Sequence, residues 1–133
     1  MRVLVFEPGY SPYTAIFSDS ADAVSKVIRR EHEVKMPFDN DVIALVCDAQ
    51  QDELLPNRSI NDDLIIKGRF FVCGHDGNNL CGLTRKQADR YSRRYLYPEQ
   101  FEHTGDGLIA VPQNPRVKPG DERLGKKGNI MER

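Results

Sequence analysis

The apolar positions of this chain fall into short runs with two distinct periods. "RVLVF" (2–6) and "YTAIF" (13–17) are strand-like and flank "EPGYSP", where Pro8 and Gly9 suit the central positions of a type II turn. A β-hairpin is predicted there. "SDSADAVSKVIRR" (18–30) then changes to helical spacing, with Ala23, Val24, Val27 and Ile28 on one side. Ser18 or Ser20 can cap this helix, predicted at three turns, and Asp19 and Asp22 suit the positive end of its dipole. "HEVKMPF" (32–38) alternates weakly and reads as a short strand.

Two later runs are apolar without alternation. "DNDVIALVCD" (39–48) opens in a turn and becomes a strand, and "DLIIKGRFFVCG" (63–74) reads as one strand with Gly68 at a bulge or bend. Unbroken apolar runs mark strands covered on both faces, so these two are predicted to be central. "AQQDELLPN" between them reads as a loop. "LTRKQADRYSRRYLYPEQF" (83–101) returns to helical spacing, with Thr84 as cap and Ala88, Tyr91 and Tyr95 inward. Pro98 ends or kinks this helix. "LIAV" (108–111) suggests one more short strand. The resulting fold class is α+β: a small, mostly antiparallel sheet in the order ββαβββα with one or two packed helices. Residues 1–104 form a single domain and residues 105–133 a flexible tail.

Bulk properties narrow the picture. A chain of 133 residues suffices for one domain with one modest core. The net charge of -1 provides no global field to attract nucleic acid or anionic membrane. From Pro112 onward, six Lys or Arg against three Asp or Glu make the tail mildly basic. Its three prolines and three glycines leave it too little apolar surface to fold alone. Three cysteines, an odd count without framework spacing, point to a reducing compartment, and the cytoplasm is expected. "MRVLVFEPG" has too short an apolar stretch for a signal peptide, and the longest apolar run is far below a membrane span.

Four constellations could carry chemistry. Asn57 and Arg58, in "LPNRSI", could together grip a carboxylate, phosphate or nucleobase edge. The plainer alternative is a turn with Arg58 lying over the surface. Asp39 and Asp41, in "PFDND", could complete such a ligand site or hold a divalent cation, although a turn before a buried strand uses the same residues. "CGHDGNNLC" (73–81) contains Cys73, His75, Asp76 and Cys81, all admissible zinc ligands, but in no recognised finger spacing. No metal or other cofactor is therefore expected. Lys86, Arg90, Arg93 and Arg94, interleaved with tyrosines, could bind nucleic acid, or simply form the solvated face of a helix.

The stretches "PFDNDVIALVCD", "LLPNRSI" and "IIKGRFFVCG", followed by a "GLT" helix start, resemble the family catalogued as domain of unknown function 3846. The matching positions are Val5–Gly9, Pro37–Asp41, Leu55–Arg58 and Ile65–Gly74, and the resemblance spans roughly residues 2–100. This chain departs from the pattern in having no residue between Pro56 and Asn57, and in its Pro/Gly-containing tail. The resemblance implies a fold and a setting among phage, plasmid and integrative-element genes, and it brings no reaction. With no catalytic set evident, the expected role is a non-enzymatic binding module of a mobile element. It would contact a host protein or a small phosphorylated ligand, with counter-defence as one outcome. A nucleic-acid accessory factor using residues 85–94 and the tail, or a small enzyme on a nucleotide-like substrate, are the alternatives. Two strands apolar on both faces further suggest a homodimer supplying missing cover.

Overall fold

The computed structural model describes residues 1–40 and 42–118. Its centre is an antiparallel sheet in which β1 (Arg2–Phe6), β2 (Tyr13–Ile16), β3 (His32–Lys35), β4 (Ile43–Asp48) and β7 (Phe70–Asp76) run in the order β2-β1-β7-β4-β3. The short strand β8 (Asn79–Cys81) pairs with the far end of β7. Two ribbons complete the strands: β5 (Pro56–Asn61) with β6 (Leu64–Lys67), and β9 (Glu99–Thr104) with β10 (Gly107–Pro112). The α+β class and the antiparallel sheet are as the sequence predicts.

The unbroken apolar runs do mark strands covered twice. Leu4, Phe6, Ile43, Leu45, Phe70 and Val72 point to one face, where Phe38, Ile60, Ile66 and helix α2 (Arg85–Arg94) close over them through Ala88, Tyr91 and the following Tyr95. Val3, Val5, Ala44, Val46, Phe71 and Cys73 point to the other face, under Ala23, Val27 and Ile28. These come from α1 (Ser20–Ala23) and the π-helical turn Val24–Ile28 that continues it. The chain thus covers both faces of its central strands β1, β4 and β7 itself, so those two apolar runs do not require a second subunit for cover.

Several local predictions need correction. The first helix is one α-turn followed by a π-turn, ended by Arg29 at a φ of 70°, and its cap is Asp19, which accepts from the Asp22 amide at 2.8 Å. Pro8 and Gly9 do form the expected turn, with Gly9 at a φ of 85°. The expected single strand over 63–74 is two strands in different sheets. Gly68 bends the chain between them at a φ of 79°, donating to the Leu55 carbonyl at 2.7 Å. Periodicity cannot register such a break, because both halves are equally apolar. Thr84 caps α2 as predicted, within a reciprocal capping box with Gln87.

β10 lies where the short strand was expected, with β9 as its partner, and residue 105 sits in the turn between them. Beyond the ribbon, Arg116 lies against the β1–β2 loop: its carbonyl accepts from the Ser11 amide at 2.7 Å, and its amide donates to Ser11 Oγ at 2.9 Å. The rest of the expected tail, residues 119–133, lies outside the described residues.

A Cβ added at Gly68 would sit 2.6 Å from Leu54 Cδ1, on a backbone that L side chains rarely adopt. Gly68→Ala is therefore expected to lower unfolding free energy by about 1–3 kcal/mol, measured by urea denaturation.

Candidate functional site

Asn57 and Arg58 occupy a strand rather than the predicted turn, and they are internal rather than at a surface corner. Along β5 the register with β6 shifts between Pro56 and Arg58, so Asn57 is an inserted, bulged residue. The bulge turns two consecutive side chains inward, where a regular strand would alternate them. Asn57 is 0% and Arg58 1% exposed.

The Asn57 amide donates to the Phe6 carbonyl at 3.1 Å and to the Gly68 carbonyl at 2.8 Å. It thereby ties the end of β1 to the bend between β6 and β7. Arg58 reaches further. Its Nη2 donates to the Tyr10 carbonyl at 2.8 Å and to the Tyr95 carbonyl at 3.3 Å; Nε shares Tyr95 at 3.4 Å. Nη1 donates to the backbone and side-chain oxygens of Asn57 at 3.3 and 3.2 Å. Those five contacts match the five N–H groups of a guanidinium. Tyr95 caps the C-terminal end of α2, so its carbonyl belongs to the negative end of the helix dipole. The guanidinium also lies 5.4 Å from the centre of the Phe6 ring.

Burial pulls the Arg58 pKa down to about 10, against which the nearby Glu99 carboxylate pulls upward. The group remains a cation at neutral pH. Glu99 is itself anchored, accepting from the Ser59 amide at 2.6 Å and the Ser59 hydroxyl at 2.9 Å. The sequence reading missed Glu99, because it falls just after a proline on a segment taken as the end of a helix.

The other predicted residues that the structure describes do not gather around this pair. Asp39 is exposed, in the turn before β4, and no hydrogen bond or ion pair links it to Asn57 or Arg58 among the described residues. Asp41 lies outside the described residues. Cys73 is buried in the sheet while Cys81 lies on β8, half-buried. Burial pushes the Cys73 thiol up to about 12 and that of Cys47 up to about 11, so neither is an activated nucleophile. Among the described residues no three His, Cys, Asp or Glu side chains converge as a metal site.

The basic helix divides by function. Tyr91 and Tyr95 are buried, as predicted, and Lys86, Arg90, Arg93 and Arg94 are exposed. Arg93 pairs with Asp89 at 2.8 Å, and Arg94 covers the rings of Phe38 and Tyr95 at 5.7 and 5.1 Å. Lys86 instead opens on a groove of about 490 Å³ lined also by Arg2, Arg85, Thr14, Asp89 and Ser92. Arg2 is fixed there by donating to the Leu83 carbonyl at 3.1 Å. Arg2, Arg85 and Lys86 enter no ion pair among the described residues. One sequence signal for this groove was available. Arg85 and Lys86 occupy the first turn of α2, where the dipole disfavours cations and acidic residues are absent.

A third charged cluster sits on the β1–β2 loop. Glu7, buried, accepts from the Tyr13 hydroxyl at 2.7 Å and pairs with Arg69 at 3.4 Å and with Lys118. Burial pushes the Glu7 carboxyl up, but the bonds from Lys118 and Tyr13 and the charges of Arg69 and Lys118 outweigh it, and the net shift is downward.

A family model described as Domain of unknown function (DUF3846) matches residues 1–96, a span that takes in the central sheet, β5–β6 and α2. No curated protein and no solved structure matches.

Two outcomes follow from the buried groups. Arg58→Ala should cost on the order of 3 kcal/mol or more in a urea titration, since it orphans the Tyr10 and Tyr95 carbonyls and leaves a void; an exposed arginine would cost under about 0.5 kcal/mol. Glu7 binds protons less readily folded than unfolded, so its stabilisation is complete above the ordinary carboxylate value of 4.5 and is lost as pH falls through the lower folded value. Glu7→Gln should flatten that part of the stability-versus-pH curve.

Proposed function

The chain belongs to the domain of unknown function 3846 family, and from that footing we propose that it is a non-enzymatic binding module of a phage or other mobile element whose ligand is anionic. The ligand is a small phosphorylated molecule or the phosphorylated part of a host component, taken in the groove of Arg2, Arg85 and Lys86. The single observation that carries this reading is that these cations converge on one groove with no acidic partner in ion-pair contact. Asp89, the groove's one carboxylate, is taken up by Arg93. Thr14 and Ser92 add hydroxyls suited to phosphate oxygens. The mobile-element setting rests on the motif resemblance and makes sequestration of a host nucleotide, a form of counter-defence, a natural use.

Two features favour binding over turnover. The thiols at Cys47 and Cys73 are held protonated by burial, and the groove's one carboxylate is neutralised by an arginine. The nucleic-acid reading uses the same end of α2 and adds Arg90, which is exposed and enters no ion pair among the described residues. It predicts a steep fall of affinity with salt and a contribution from Arg90.

Calorimetric titration with pyrophosphate and with a nucleoside triphosphate at low salt tests the proposal. Binding should weaken by about tenfold or more in Arg85→Ala/Lys86→Ala, with an unchanged melting temperature. Nucleotide recovered intact after long incubation fits sequestration, and hydrolysis points to an enzyme. Absence of heat with either probe, alongside retention of single-stranded DNA that Arg90→Ala abolishes, favours the nucleic-acid reading.

A further inference from the structure

β3 is the outer strand of the central sheet, and among the described residues its only strand partner is β4. In an antiparallel ladder, alternate residues turn their N–H and C=O toward the neighbouring strand. The Glu31 carbonyl accepts from Ala49 at 2.9 Å, which fixes the phase: Glu31, Glu33 and Lys35 face β4 with their backbone groups. His32, Val34 and Met36 therefore present theirs outward, along an open edge. Open edges template pairing with another strand.

The side chains choose the partner. Val34 is 42% exposed, and Met36 and Val42, next to the ends of β3 and β4, are 42% and 45% exposed. Lys35 and Glu33 stand on the opposite face from Val34, 3.3 Å apart. A second copy of β3, added antiparallel about a two-fold axis, must bring outward-facing residues together as hydrogen-bonded pairs. An axis at Glu33 sets Glu33 against Glu33, and an axis at Lys35 sets Lys35 against Lys35. An axis at Val34 places Val34 against Val34, Glu33 against Lys35, and His32 against Met36. Like charges directly opposed destabilise a ladder and unlike charges stabilise it, so charge selects the third register.

We propose that the chain self-associates through β3, antiparallel and centred on Val34, extending the sheet across a two-fold axis, with Val34 and the nearby Met36 and Val42 supplying apolar surface. This surface lies at the opposite end of the strand order from β2, whose Thr14 lines the basic groove, so self-association leaves the groove open. A contact of one short edge strand is small, which makes the dimer weak and reversible.

Sedimentation velocity between about 10 µM and 1 mM tests it. The weight-average mass should climb from that of the 15.2 kDa monomer toward the dimer. Glu33→Lys and Lys35→Glu should each weaken association by about tenfold, because each sets like charges against one another. Mixing the two variants in equal amounts should restore it, since each supplies the opposite charges, and this recovery also shows that both variants fold. A mass that stays monomeric throughout, or a dimer indifferent to both reversals, overturns the proposal.

Discussion

One guanidinium holds three separate parts of this chain together. Arg58, carried on a bulged strand, donates to the carbonyl of Tyr10 in the β1–β2 loop, to that of Tyr95 at the end of α2 and to Asn57 in its own strand. The Tyr10 and Tyr95 carbonyls lie outside the strands and at the end of the helix, where regular secondary structure has stopped. A buried cation is costly unless its donors are filled, and a buried carbonyl is costly unless it finds a donor. Here each cost removes the other. Asn57 does the same for the last carbonyl of β1 and the bend at Gly68. The pair therefore fixes how the β5–β6 ribbon, the first hairpin and the second helix sit on the sheet.

That arrangement in turn explains the layering. The sheet is apolar on both sides, and its two covers differ in kind. On the α1 side a short helical segment with Val27 and Ile28 packs directly against Val46 and Phe71. On the other side α2 and the β5–β6 ribbon share the cover, and the Arg58 cluster sits among them beside the Phe6 and Phe70 rings, which stack at 4.6 Å. Polar groups inside such a cover specify geometry that apolar contact alone leaves loose.

Most of the framework was legible from periodicity. The first hairpin, the Thr84 cap and the inward Ala88–Tyr91–Tyr95 stripe follow from local pattern, because their determinants lie within a few residues of each other. β5 was not legible. "PNRSIN" has a proline, two asparagines and an arginine, which is turn composition, and it becomes a strand by pairing with β6 while its side chains meet distant carbonyls. The same reason hid the role of Arg58. An arginine read alone belongs at the surface, and the acceptors that keep this one inside are 37 and 48 residues away in the chain. The groove at Arg2 and Arg85 joins the first strand to the second helix, a proximity that no local pattern encodes.

The proposed function rests on this separation. The arginine that looked like a ligand grip in the sequence is spent on the fold, and cations elsewhere remain available. The most direct measurement is the NMR signal of the arginine Nε–H groups as pyrophosphate is added. The account predicts an Arg58 Nε–H that exchanges slowly with solvent and does not shift at saturation, while the signals of Arg2 and Arg85 move. An Arg58 proton that exchanges at the solvent rate, or that shifts on binding while Arg2 and Arg85 stay still, would contradict it.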